Sequence, residues 1–307
     1  MKIAYYPSKN LFKPIDRAVV SIGVFDGLHK GHLFLLKKTI TLSKKIKGKS
    51  VVFTFWPHPQ KEKLIYSLAH RLKLLEKIGI DFCVVIRFNS QLKHMLPEEF
   101  VENILLKITR PYCLVVGEDF RFGKSALGDI RLLKIFSFKY GFKLKVIPHL
   151  KYKNRIISST YIRKFIQRGR IKEVSNCLAF PFSILGRVIK GEGLGTNLGF
   201  PTANLDIDNE ILPLFGVYLV RVKFSDKVLP GLCYIGNRPT FRNKKSPEKI
   251  SFEIHILDFK KSIYNKTLEV EFIKRLRAQK RFSDPQKLVQ QINKDVLKAR
   301  QFFSTKL

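Results

Sequence analysis

Val19-Val-Ser-Ile-Gly-Val-Phe-Asp-Gly-Leu-His-Lys-Gly-His32 is the stretch that decides how the first half of this chain is read. Val19–Val24 is an apolar run of strand length, and Leu33–Ile46 follows with the apolar spacing of an amphipathic helix. The turn between them carries Gly23, Gly27 and Gly31, which permit tight turning and let backbone approach a bulky anion. A helix opening there presents free N–H groups and partial positive charge to phosphate. His29 and His32, three residues apart, share one face at the helix start and can donate hydrogen bonds to a triphosphate. No acidic cluster adjoins them, so a metal site is not the expectation.

Outward from this turn the same alternation repeats. Strands are expected at Val51–Phe55, Phe82–Phe88, Tyr112–Val116 and Phe142–Ile147, with helices at Ala69–Ile78, Glu98–Ile108 and Ile130–Lys139. A βαβα succession implies a parallel sheet covered by helices. Such sheets bind ligands beyond the carboxyl ends of their strands. Helical segments are expected next at Ser159–Gln167 and Ile171–Leu178. The pattern then changes to short β-rich runs separated by Gly and Pro: Ser183–Ile189, Gly216–Phe224, Gly231–Gly236, Ser251–Leu257 and Leu268–Arg275. These predict an antiparallel barrel or sandwich, followed by a helix over Pro285–Phe303 capped by Asp284. The boundary is placed near Phe180–Ser183, giving domains 1–182 and 183–307.

The chain has 307 residues, enough for two domains with cores of their own. It holds 58 Lys+Arg against 24 Asp+Glu, a formal charge of +34. That excess raises nucleic acid as a partner, but it is spread along the chain: residues 1–183 hold 35 of the basic and 12 of the acidic residues. With no basic tail or block, the distribution argues against a nucleic-acid site and for steering of small polyanions. Cys83, Cys113, Cys177 and Cys233 form no CxxC pair and stand among apolar residues, so small core residues are expected rather than zinc ligands. No stretch has the apolar length of a membrane span. A cytoplasmic protein, monomeric or weakly oligomeric, is the expectation.

Several segments, in order, carry a family resemblance. Gly23–His32 contains the HxGH pattern of a nucleotidyltransferase superfamily. Thr54-Phe-Trp-Pro-His-Pro59, Val116-Gly-Glu-Asp-Phe-Arg-Phe-Gly123 and Ile157-Ser-Ser-Thr-Tyr-Ile-Arg163 follow. Together they resemble the bacterial bifunctional riboflavin kinase/FMN adenylyltransferases, from about Val19 to Arg300. The resemblance implies an α/β Rossmann-like nucleotidyltransferase domain followed by an antiparallel β-barrel riboflavin kinase domain with a C-terminal helix. It implies ATP contacts at Gly23, Phe25, Asp26, Gly31, His58, Ser159 and Thr160, and catalytic roles for His29, His32 and Arg163. The aromatic rings of Phe120 and Phe122 would cover a flavin, with Asp119 accepting a hydrogen bond. The implied reaction is attack of the FMN phosphate on the α-phosphorus of ATP. That nucleophile is already an anion, so positioning and charge neutralisation supply the acceleration, with Mg²⁺ held by phosphate and water.

The second half holds a glycine-rich loop at Gly191, Gly193 and Gly195, leading into Gly199-Phe-Pro-Thr-Ala-Asn204. No GK[ST] follows, so it is not a P-loop. By resemblance the glycines wrap ATP phosphates, while Thr202 and Asn204 bind Mg·ATP. Phe252-Glu-Ile-His-Ile-Leu-Asp-Phe259 resembles the family's strand with an inward glutamate, which makes Glu253 the general base for the riboflavin 5′-hydroxyl. The chain departs from the family at Leu194 and Thr196, where basic residues are usual, and at Leu178-Ala-Phe180, Ile263-Tyr-Asn265 and Tyr234-Ile-Gly236, the last standing before Arg238-Pro-Thr-Phe241. Three other readings stay open: adenylyl transfer alone with a flavin-binding second domain, a basic nucleic-acid-binding protein on this fold, and transfer to another small phosphate.

Overall fold

The computed structural model describes residues 1–8, 14–60, 62–191, 193–237, 250–282 and 284–305, without the side chains of Leu194 and Asn197. The Arg238–Phe241 segment and the Leu194 side chain, both singled out in the sequence, therefore lie outside the described residues. Two compact units emerge, Met1–Ser159 and Thr160–Leu307.

The first unit is built on strands β1 (Lys2–Tyr6), β2 (Ile15–Ile22), β3 (Lys49–Trp56), β4 (Phe82–Arg87), β5 (Thr109–Gly117) and β6 (Lys143–Ile147). They form one six-stranded sheet in the order β1-β4-β3-β2-β5-β6, and every neighbouring pair is parallel. Strands buried on both faces must be apolar throughout. Val19, Val20, Val51, Val52, Phe53, Val84, Leu114, Val115 and Val116 are accordingly fully enclosed. The covering helices are α1 (Lys30–Lys45), α2 (Leu68–Ile78), α3 (Ser90–His94), α4 (Pro97–Phe100), α5 (Leu106–Ile108) and α6 (Ile130–Lys139). The expected helix at Glu98–Ile108 exists, but a π-helical turn at Val101–Leu105 joins α4 to α5. Polar side chains fix the starts: Ser67 caps α2 and Asp129 caps α6. A small hairpin of β7 (Lys151–Tyr152) and β8 (Arg155–Ile156) closes this unit.

Helix α7 (Ser159–Gln167) begins at the boundary residue Ser159 and continues into the second unit, where α8 (Ile171–Cys177) follows. Strands β9 (Ser183–Ile189), β10 (Ala203–Ile207), β11 (Gly216–Phe224), β12 (Lys227–Asn237), β13 (Ile250–Ile256) and β14 (Thr267–Ala278) follow, with the short helix α9 (Leu194–Asn197) between β9 and β10. They close into a barrel, β10-β13-β12-β11-β14-β9, which decides between barrel and sandwich. Alternate residues point inward, and Phe272 gathers the rings of Phe182, Tyr218 and Phe252 at 5.4, 5.3 and 6.2 Å. On the outer face Val217, Leu219, Leu232 and Leu257 pack under α10 (Pro285–Ser304) around the fully buried Ala299. Asp284 caps α10 through the Gln286 amide at 2.8 Å. Arg277 Nε on β14 pairs with the buried Asp295 Oδ2 of α10 at 2.8 Å.

Candidate active sites

In the parallel sheet β2 lies between β3 and β5, the place beyond whose carboxyl end sheets of this kind bind ligands. The Gly23–His32 turn occupies that place. The Gly23 amide donates to the Phe53 carbonyl at 3.0 Å, which carries the β2–β3 pairing into the turn. Phe25 (φ 52°) and Gly27 (φ 73°) then reverse the chain in left-handed conformations. An imidazole serves as the N-cap of α1: the His32 backbone amide donates to His29 Nδ1 at 3.2 Å. The proton of the neutral His29 ring therefore sits on Nε2. The two imidazoles stack at 3.6 Å with 18° between planes, and Phe25 meets His32 edge-on at 5.3 Å.

Burial, with the nearby His149 second, lowers the His29 pKa to about 4. Burial, then His29, holds His32 well below the usual histidine value. Both rings are thus neutral donors at pH 7. His32 Nδ1 is buried with no hydrogen-bond partner among the described residues. An incoming polyphosphate would supply an acceptor and favour protonation of both rings. The depressed values also set a pH dependence. The unfolded chain binds the His29 proton near 6.5 and the folded chain only near 4, so the stabilising neutral state is fully present above 6.5 and lost as pH falls towards 4. Thermal melts of the first unit should lose about 3 kcal/mol from this group over that interval, and His29→Asn should flatten the slope.

The rest of the first unit brings further residues to the same edge. Asp26 is buried, and its Oδ1 accepts from the Ile65 and Tyr66 amides at 2.9 and 3.5 Å. Its carbonyl accepts from Ser159 Oγ at 2.8 Å. Asp26 is thereby a tie that holds the turn, and Ser159 reaches the turn through it. The Arg71 side chain is enclosed and was not singled out in the sequence. Its Nη1 donates to the Val24 carbonyl at 2.6 Å and to Thr54 Oγ1 at 3.2 Å, and its Nη2 to the Phe55 carbonyl at 3.4 Å. It fastens the ends of β2 and β3 together. His58, half-buried beyond β3, accepts from the Gln60 amide at 3.1 Å.

Beyond β5, Asp119 is exposed beside His149, with Oδ2 3.6 Å from Nε2. Phe120 and Phe122 stack at 5.6 Å. Phe122 is a core residue, packed on Phe100 at 6.0 Å and so close to Gly128 that a Cβ there would lie 2.5 Å from its ring. Phe120 is half-buried at the edge of that core. In the second unit Arg163 is buried on α7, its Nη1 donating to Thr160 Oγ1 at 3.4 Å.

The barrel carries a second constellation. Alternation along β13 sends Phe252 and Ile254 inside and Glu253 to the outer face. The glutamate expected to point inward is therefore outside the barrel, on the face that α10 partly covers. Its cross-strand neighbours are Asn204 on β10 and Tyr234 on β12. Ser251 Oγ donates to Glu253 Oε1 at 2.5 Å and Thr202 Oγ1 to Oε2 at 3.5 Å. Burial and the Glu253 charge together push the Tyr234 phenol up. His255, two residues further on the same face, places Nδ1 2.9 Å from the Pro201 carbonyl and so holds the segment leading to Thr202.

The glycines are spaced for close approach. A Cβ on Gly191 would lie 2.1 Å from Asn204 Nδ2, and one on Gly195 would lie 2.5 Å from the Phe200 carbonyl. Gly193 has open space around it and a left-handed φ of 73°. Thr202, Asn204 and Glu253 offer only oxygen atoms to a cation, the donor set that suits Mg²⁺ with phosphate and water completing the shell. No group of three or more His, Cys, Asp and Glu able to hold a metal exists among the described residues. All four cysteines are free and buried.

Residues 13–161 match the FAD synthetase family and residues 178–303 match the riboflavin kinase family. Three relatives, each a bifunctional riboflavin kinase/FMN adenylyltransferase, align along nearly the whole chain. The Buchnera aphidicola subsp. Schizaphis graminum protein is 36% identical over 304 residues, 96% of this chain and 97% of that one. The Escherichia coli K12 protein is 33% identical over 94% of both chains. The Bacillus subtilis protein is 32% identical over 94% of this chain and 93% of its own. The chain belongs to the bifunctional riboflavin kinase/FMN adenylyltransferase family. The crystal structure of a macrolide-efflux protein from Streptococcus pneumoniae also has this fold, with a TM-score of 0.85, 28% identity, and coverage of 98% of this chain and 99% of that one. Among the described residues no helix is long and apolar enough to cross a membrane.

In this member of the family the Gly23–His32 turn lies in the first compact unit, and the Gly191–Asn204 and Glu253 segments lie in the second. Sequence reasoning missed Ser251, His255, Arg71 and His149. The first two were within reach, since residues two before and two after Glu253 share its face of a strand.

Proposed function

We propose that this chain phosphorylates riboflavin to FMN on its barrel and adenylylates FMN to FAD on its parallel sheet. The observation that carries the reading is that the two halves match two different enzyme families, each around its own cluster of polar side chains. Residues 1–182, which include Thr160 and Arg163 of α7, serve adenylyl transfer, and residues 183–307 serve the kinase.

In the kinase, Glu253 accepts the proton of the riboflavin 5′-hydroxyl as its oxygen bonds to the γ-phosphorus of ATP and ADP leaves. Ser251 and Thr202 hold the carboxylate by one hydrogen bond to each oxygen, leaving lone pairs for the incoming proton. Gly191, Gly193 and Gly195 line the phosphates with backbone amides, and Thr202 and Asn204 would hold Mg²⁺. The cation supplies charge neutralisation at the phosphates. Gly191→Ala tests this packing: the added methyl displaces the Asn204 amide, so the KM for Mg·ATP in riboflavin phosphorylation should rise about tenfold or more. FAD formation from FMN by the same protein should be unchanged. A normal kinase KM would remove Asn204 from the site.

In adenylyl transfer, an FMN phosphate oxygen bonds to the α-phosphorus of ATP and pyrophosphate leaves. His29 and His32 donate to the polyphosphate, together with Gly23, Phe25 and Gly31 backbone; Asp26 and Ser159 hold the turn. His58 borders the nucleotide, and Asp119 and Phe120 the flavin, with Phe122 supporting Phe120 from the core. Free, buried cysteines fit a reducing, cytoplasmic setting. The chain acts as a monomer or weak oligomer, and its dispersed charge serves polyanionic small molecules rather than nucleic acid. High-performance chromatography of reactions with riboflavin, and separately with FMN, tests the assignment of both activities to one chain.

A further inference from the structure

The ladder that joins β10 to β13 starts at Ala203, paired with Ile254, and continues to Asn204, paired with Glu253. Pro201, two residues before β10, cannot donate to it, because proline has no N–H and its carbonyl is its one backbone hydrogen-bonding group. A side chain of β13 takes that carbonyl instead: His255 Nδ1 stands 2.9 Å from the Pro201 oxygen. A carbonyl only accepts, so the imidazole carries a proton on Nδ1. Phe200 meets the same ring edge-on at 5.9 Å, with 77° between planes.

The turn leading to Pro201 is closed on itself, with the Phe200 amide donating to the Gly195 carbonyl at 2.7 Å and the Gly199 amide to the Thr196 carbonyl at 3.1 Å. It packs against the next residue, since a Cβ on Gly195 would lie 3.0 Å from Thr202 Oγ1. The Thr202 hydroxyl reaches Glu253 Oε2 at 3.5 Å, a length at which the bond is a weak tether by itself. The place of Thr202 is therefore set from its two sides, by Ala203 in the ladder and by Pro201 on His255.

We propose that His255 is a positioning residue of the kinase: by holding the Pro201 carbonyl it fixes where Thr202 presents its hydroxyl, and so sets the affinity for Mg·ATP without touching riboflavin or the reacting atoms. Glu253 and His255 lie two apart on one face of β13, so the strand that carries the proton acceptor also carries the hold on the nucleotide segment.

This rests on the assignment of riboflavin phosphorylation to the barrel and of Thr202 to Mg·ATP, and the test separates the two. The full-length wild type, His255→Leu and His255→Asn are compared in two measurements: the steady-state kinetics of riboflavin phosphorylation, and backbone amide hydrogen exchange of residues 195–204 without ligands. Leucine keeps bulk beneath Phe200 and lacks the donor; asparagine returns a donor, Nδ2, at the place of Nδ1. His255→Leu should raise the KM for Mg·ATP about three- to tenfold, the scale of one net hydrogen bond, with kcat and the KM for riboflavin little changed. Its 195–204 amides should exchange faster while those of β11 and β12 keep wild-type protection. His255→Asn should restore both readouts, and FAD formation from FMN should be unaltered in all three proteins. An unchanged KM in His255→Leu, faster exchange throughout its barrel, or an asparagine variant that behaves like leucine overturns the proposal while leaving the kinase assignment intact. Absence of FMN from the wild type with riboflavin and Mg·ATP would instead overturn that assignment, and the proposal with it.

Discussion

Glu253→Gln should cut riboflavin phosphorylation by about 100- to 10,000-fold while FAD formation from supplied FMN stays at the wild-type level. The substitution keeps shape and hydrogen-bonding capacity, so Ser251 and Thr202 retain a partner on the side chain and β13 keeps its register. What it removes is the carboxylate proposed to take the hydroxyl proton. An alcohol is a poor nucleophile unless its proton leaves as the new bond forms, and no other carboxylate is bonded to Thr202 or Ser251 among the described residues. The loss should fall on kcat, since the glutamine still occupies the same space. Retained kinase activity would make Glu253 a positioning residue and move the proton acceptor to solvent or to the phosphate itself.

His32→Ala should have the opposite signature: FAD formation falls about 100- to 1,000-fold and riboflavin phosphorylation survives. The half-buried ring lies against His29 and Phe25, and its Nδ1 is buried without a hydrogen-bond partner among the described residues. A buried polar atom left unsatisfied is costly, which a purely structural role would not require. His29→Asn sharpens the test. Asparagine is a good N-cap, so the bond from the His32 amide that starts α1 is kept while the imidazole is lost. If His29→Asn melts like wild type at neutral pH yet fails to make FAD, the imidazole acts in the chemistry; if it makes FAD normally, His29 is a cap and nothing more.

The parallel sheet was legible because its strands are buried on both faces and read as unbroken apolar runs, as at Val51-Val-Phe53 and Cys83-Val-Val-Ile86. Strand β1 was not: Lys2–Tyr6 is an edge strand with one buried residue, Ala4, and no sequence signal of burial. Strand β10 was hidden for another reason. Ala203–Ile207 lies within a segment whose chemistry suggested a phosphate-binding loop, yet Asn204 is held in the barrel by pairing with Ile189 and Glu253.

Positions in the candidate sites were legible to the same degree as their local context. His29 and His32 share the helix start as their spacing predicts, but stacking and capping depend on a left-handed Phe25 that no periodicity reveals. The direction of Glu253 was misjudged because a strand pattern gives two faces without saying which is the interior; the large residues flanking it, Phe252 and Ile254, take the barrel core. Phe122 shows the same ambiguity for aromatics, which serve a core as readily as a ligand. Arg71 carried no signal at all: a basic residue on an amphipathic helix reads as solvated, whereas the Val24 and Phe55 carbonyls and Thr54 Oγ1 converge on its buried guanidinium.

The central claim, that one chain makes both FMN and FAD, is tested most directly by chromatography of the purified protein incubated with Mg·ATP and riboflavin, and in parallel with Mg·ATP and FMN. The account predicts FMN followed by FAD in the first reaction and FAD in the second. FAD from FMN with no product from riboflavin would contradict the kinase half, and no flavin product in either, from folded protein, would contradict the whole.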